Sequence, residues 1–72
     1  MPYVKIQVTD EGVTNEQKAQ LIQETTDMLF RVLAKDPSTT FVVIDEVNTD
    51  NWGANGMQVT QLRAMEKMER AN

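Results

Sequence analysis

Polar and apolar positions alternate strictly from the start of the chain. Val4, Ile6 and Val8 fall on one side of an extended backbone, and Tyr3, Lys5, Gln7 and Thr9 on the other. Three β-branched residues at period two predict a half-buried strand over 3–9. Asp10-Glu11-Gly12 ends it with turn chemistry and reads as a solvated turn. The period then changes. Leu21, Ile22, Thr25, Met28, Leu29, Val32 and Leu33 recur at helical spacings and form one apolar stripe. Gln20, Glu24, Asp27 and Arg31 make the wet face, with Asp27 placed four residues before Arg31 as a surface pair. Thr14-Asn15-Glu16-Gln17 has the spacing of a capping box, which fixes the helix start. Pro37 disfavours helical geometry at Asp36, so the helix is expected to end near Ala34 or Lys35.

Thr39 to Val47 predicts a second strand, apolar on both faces, with Phe41 and Val43 opposite Val42 and Ile44. A doubly apolar strand suits a sheet interior. Strand, helix and strand in this length make a βαβ unit with parallel strands and a right-handed crossover. The fold class is therefore α/β: a single β-α-β unit, with a short C-terminal hairpin or arm, expected to oligomerise into larger sheets. Residues 1–72 form one domain, of which 58–72 are the arm. Asn48 to Gly56 is a loop and possible hairpin ending in Asn-Gly, with Trp52 at its middle. Val59, Leu62, Met65 and Met68 recur every three residues in the tail, which predicts a short helix or an arm on a neighbour, frayed at its end. Met57, Met65 and Met68 read as apolar packing.

Such a small domain buries little surface and usually needs a disulfide, a metal or a partner. The chain has no Cys and no His, which excludes disulfides, Cys/His metal sites and Ser-His triads. Association remains, and Phe30, well away from the helix stripe, points the same way. Seven basic and eleven acidic residues give a net charge of −4, which argues against nucleic-acid and anionic-membrane partners. No apolar run approaches the roughly 20 residues of a membrane span, and no signal peptide is evident, so the expected location is cytoplasmic.

Asp45-Glu46 looks like a carboxylate pair, but neighbours on a strand face opposite ways and cannot share a site. Pro2 is the stronger candidate. Initiator Met is generally removed before a small residue such as Pro, exposing a rigid secondary amine. An apolar pocket would lower its pKa below the roughly 7.7–8.0 of an α-amino group, giving a base suited to proton transfer beside a carbonyl.

The Met-Pro strand, the Gly12-Val13-Thr14-Asn15-Glu16-Gln17-Lys18 helix entry, and Val43-Ile44-Asp45-Glu46-Val47 through Trp52-Gly53 together resemble the 4-oxalocrotonate tautomerase family. The resemblance implies a trimer of dimers with a small-molecule substrate and no cofactor or metal. It also implies that Pro2 moves a proton between carbon and oxygen of an enol/keto acid. Two departures stand out. Where the family has an arginine after the helix-entry glycine, this chain has Val13, and where it has a second arginine early in strand two, this chain has Phe41. Neither can pair with a carboxylate, so the family's dicarboxylate is not the expected substrate. The pocket aromatic is kept as Trp52, and Arg63 falls on a tail arginine of several members. The site expected from the resemblance is catalytic Pro2 with substrate-binding Trp52, Phe41 and Arg63. Two alternatives stay open: a non-catalytic subunit of a hetero-oligomer, and a hydratase- or dehalogenase-type variant using cationic Pro2.

Overall fold

The computed structural model describes the backbone of residues 1–71 and the side chains of residues 1–68. The first strand, β1 (Tyr3–Thr9), pairs in parallel with β2 (Phe41–Val47), in a register that sets Tyr3 beside Phe41 and Thr9 beside Val47. Between them runs α1 (Asn15–Leu33). The capping box is present in both directions: Gln17 N–H donates to Thr14 Oγ1 at 3.1 Å, and Thr14 N–H to Gln17 Oε1 at 2.9 Å. Ala34 closes the helix in the left-handed region at φ 55°, its N–H reaching the Phe30 carbonyl at 2.9 Å.

The second strand starts two residues later than the pattern predicts. Asp36 caps a turn of 3₁₀ helix at Pro37–Thr39, accepting from Ser38 N–H at 3.0 Å and Ser38 Oγ at 2.9 Å. The Thr39 and Thr40 hydroxyls both donate back to the Asp36 carbonyl. Local side-chain bonds thus outcompete the strand preference of two β-branched residues.

After β2, Asn48 caps a second 3₁₀ turn, Thr49–Asn51, and a tight hairpin of β3 (Gly53–Ala54) and β4 (Met57–Gln58) follows. Its turn is Asn55-Gly56, with φ 54° and 77°. Positive φ at both central positions is the type I′ signature, and Asn-Gly is the pair that tolerates it. The tail is helical: α2 (Val59–Ala71). Fraying at the very end of the chain lies outside the described residues.

Strand parity divides the sheet. Val4, Ile6, Val8, Val42 and Ile44 lie on the half-buried side, which α1 covers. Tyr3, Phe41 and Val43 lie on the other, 62%, 48% and 42% exposed. The helix stripe is only partly used: Leu21, Thr25 and Leu29 are half-buried, whereas Ile22, Met28, Val32 and Leu33 remain exposed, as does Phe30. Within the protomer β2 pairs with β1 alone, in a two-stranded sheet. Met65 and Met68 are also exposed rather than packed. Among the described side chains Val59 alone is buried, at 6% exposure.

The shape says the same. A compact chain of this length has a radius of gyration of about 11 Å, whereas this one measures 16.5 Å and extends 51 × 23 × 18 Å. One protomer has the layers of an α/β fold without an enclosed core.

Candidate active site

Pro2 leads into β1 and is half-buried. Its carbonyl accepts the Phe41 N–H at 3.0 Å, so the first sheet bond fixes the backbone at the amine-bearing residue. Met1, 85% exposed, still precedes it, and the Pro2 nitrogen is an amide until that residue is removed. Phe41 stands beside Tyr3 in register, and both present aromatic side chains on the open face of the sheet. Further along that face the surface turns polar. Asp45 Oδ2 lies 3.7 Å from Lys5 Nζ and accepts from Gln7 Nε2 at 3.1 Å. Glu46 turns to the helix side and takes Lys18 Nζ at 3.0 Å. The two carboxylates do face opposite ways, and each is paired with its own cation.

Trp52 follows the second 3₁₀ turn and is half-buried. Its carbonyl accepts the N–H of Val59, the first residue of α2, at 2.8 Å. The turn is bound to the helix again by Thr49 Oγ1 against Thr60 Oγ1 at 2.6 Å and by a Thr60–Asp50 hydrogen bond. Gln58 Nε2 adds a bond to the Asp50 carbonyl at 3.0 Å. Trp52 is therefore held by a dense local network, with Arg63 one helical turn beyond Val59.

Arg63 already has partners. Its Nε donates to Glu11 Oε1 at 2.7 Å and Nη2 to Glu11 Oε2 at 3.3 Å, while Nη1 reaches Glu66 at 3.3 Å. Glu11 is exposed in its turn, as expected, and is in addition a bidentate partner of α2. The hydrogen bond from Arg63 holds the Glu11 carboxyl below its ordinary 4.5, helped by the Thr9 hydroxyl and opposed by slight desolvation. The same bond raises the guanidinium. No local signal marks this pairing, because its members are 52 positions apart. On α1, Asp27 accepts from Gln23 at 3.2 Å, where the sequence suggested Arg31.

The four predicted residues therefore separate into two pairs. Pro2 and Phe41 sit at the head of the parallel sheet. Trp52 and Arg63 sit beyond its other end, where Asp10 N–H donates to the Val47 carbonyl at 2.8 Å. Seven-residue strands put roughly 20 Å between those ends. A groove of about 330 Å³ lined by Val13, Gln17, Gln20, Leu21 and Glu24 contains none of the four. Among the described residues no group of acidic side chains gathers as a metal site, and no helix is long and apolar enough to cross a membrane.

A family model described as "Tautomerase enzyme" matches residues 2–62, beginning at Pro2 itself. The chain belongs to the tautomerase family. A probable tautomerase of Dickeya dadantii is 56% identical over 63 residues, covering 88% of this tautomerase and 94% of that one. The crystal structure of DmpI from Helicobacter pylori superposes with a TM-score of 0.81 at 42% identity, covering 88% and 97% of the two chains. A heterohexameric 4-oxalocrotonate tautomerase from Chloroflexus aurantiacus gives a TM-score of 0.78 over 88% of this chain and all of its own. At 24% identity that last likeness concerns the fold alone. The β-α-β fold with its C-terminal hairpin is that of the 4-oxalocrotonate tautomerases, and this tautomerase belongs with enzymes of the isomerase class.

Proposed function

We propose that this tautomerase uses the Pro2 amine, freed by loss of Met1, to interconvert the enol and keto forms of a small acid. The amine takes the enol hydroxyl proton as the electrons move to carbon. The resulting ammonium then returns that proton to the carbon, leaving the ketone and the free amine. The observation that carries this reading is the 3.0 Å bond between the Pro2 carbonyl and Phe41 N–H, which anchors the amine-bearing residue beside two exposed aromatics. Closing a second subunit over this apolar surface would take the amine out of water, and desolvation favours the free base over the ammonium.

The site is completed between subunits. Pro2 and Phe41 of one copy meet Trp52 and Arg63 of another, since one chain holds the pairs at opposite ends of its sheet. The exposed sheet face and helix stripe supply the apolar surface for association, in a homohexamer arranged as a trimer of dimers. With Val13 and Phe41 in place of arginines, an aromatic or monocarboxylate enol fits better than a dicarboxylate. Those two substitutions also favour a second reading, a non-catalytic subunit in a mixed assembly; the Chloroflexus aurantiacus protein is itself a heterohexamer.

Turnover of phenylenolpyruvate by processed, Met1-retaining and Pro2→Ala proteins separates the two. Pro2→Ala keeps an amine but makes it primary and less rigid, and a loss of about 10²–10⁴-fold is expected. The Met1-retaining protein should fall further. Equal rates in all three, with assembly intact, leave the non-catalytic subunit.

A further inference from the structure

Lys5 of β1, Lys18 of α1 and Arg63 of α2 each face a carboxylate of the chain itself. Lys5 has Asp45 at 3.7 Å, and Lys18 has Glu46 at 3.0 Å. Arg63 has Glu11 at 2.7 Å and Glu66 at 3.3 Å. The most complete of these is Arg63 with Glu11, where two nitrogens of the planar guanidinium meet both carboxylate oxygens. That is the fork geometry by which arginine grips a free carboxylate. Glu11 reaches it from the turn just before Val13, and its Oε2 also accepts the Thr9 hydroxyl, so it is aimed from its own side as well. The cluster as a whole holds one guanidinium against two carboxylates.

We infer that Glu11 sets the charge preference of the tautomerase site, filling the fork of Arg63 as an internal carboxylate and thereby selecting against substrates that bring a second carboxylate there. This rests on the tautomerase reading above and deepens it. Val13 and Phe41 offer a carboxylate no charge to dock on, and Glu11 fills the fork of Arg63. A substrate carboxylate approaching Arg63 must displace Glu11, and it meets a locally negative cluster while doing so. An enol whose only carboxylate binds elsewhere meets no such competitor. Glu11 acts through Arg63 and is a positioning residue, not a catalytic one.

The test is Glu11→Gln, which keeps the side-chain length and removes the charge. Two quantities are read: the ratio of kcat/KM for the enol of oxaloacetate to that for phenylenolpyruvate, and the affinity for fumarate by titration calorimetry. Exposed ion pairs are weak, so a rise of about fivefold is expected in both, carried by KM and shrinking at high salt. The double variant Glu11→Gln with Arg63→Gln should lose that gain. A gain that survives in the double variant overturns the inference. So does an unchanged ratio with unchanged fumarate affinity. If Glu11 only braces α2, the variant melts earlier and both substrates suffer alike, which also overturns it. Fumarate binding keeps the outcomes apart: tighter binding without turnover of either enol breaks the tautomerase reading and leaves the role of Glu11 standing.

Discussion

The two ends of the protomer are built in contrasting ways. At the head of the sheet, Pro2 and Phe41 are placed by the backbone ladder, and the side chains around them are aromatic and exposed. At the hairpin end, main-chain bonds hold Trp52 between the turn and α2, while side-chain hydrogen bonds and ion pairs tie that turn and Arg63 in place. A ladder fixes where a main-chain nitrogen sits without specifying charge. A polar network fixes charge and depends on every member. Proton transfer suits the first environment and substrate discrimination the second, so joining the two ends across subunits would combine properties that neither end offers alone.

The most forceful way to break that comparison is to damage the ends in different chains. Pro2→Ala and Trp52→Ala should each be poorly active. Co-refolded in equal amounts, they should recover about a quarter of wild-type turnover, because random association in a symmetric assembly reunites intact halves at that frequency. Recovery of nothing, with mixed assemblies confirmed by native mass spectrometry, means that each site is built within a single chain.

Stability sharpens it next. Val59 is the one enclosed side chain described, and it belongs to the hairpin end. Val59→Ala should cost about 2 kcal/mol in chemical denaturation through lost burial and the cavity left behind. Phenylenolpyruvate turnover per folded molecule should fall with it if Trp52 depends on that helix start.

Much of this division can be read from the residues. Alternation in 3–9, the capping box at Thr14 and Gln17, and the Asn55-Gly56 turn are local signals, and the structure honours each. The late start of β2 escaped because Asp36 collects bonds from Ser38, Thr39 and Thr40 that propensity does not record. Glu11 escaped for a different reason: its partner comes from α2, and a Glu in a turn carries no mark of what will fold over it. Of the candidate site, Pro2 is proposed on the chemistry of its amine and Trp52, Phe41 and Arg63 on family resemblance, while the division of the four residues between two ends required the strand register.

The smallest expected effect is acidic. Glu11 and Asp36 both titrate below their ordinary values of 4.5 and 3.8. For Asp36 the cause is first the Ser38 N–H and then the Ser38 hydroxyl. A depressed carboxyl stabilises the fold fully above its unfolded pKa and loses that contribution as pH falls through the lower folded one. Melting temperature should therefore drop modestly as pH falls below those ordinary values. Glu11→Gln should remove part of the slope, and Asp36→Asn another part. A melting temperature indifferent to pH in that range would leave both bonds without energetic weight.

The drawn-out shape of the protomer bears on how its assembly is to be weighed. With a radius of gyration of 16.5 Å, a single chain has the spatial reach of a compact protein of about 200 residues, nearly three times its length. A hydrodynamic method calibrated on globular standards would take such a lone chain for something close to a trimer. Elution volume or diffusion coefficient alone would then overcount subunits for any dissociated form, and only a measurement of mass itself, such as multi-angle light scattering, separates elongation from association.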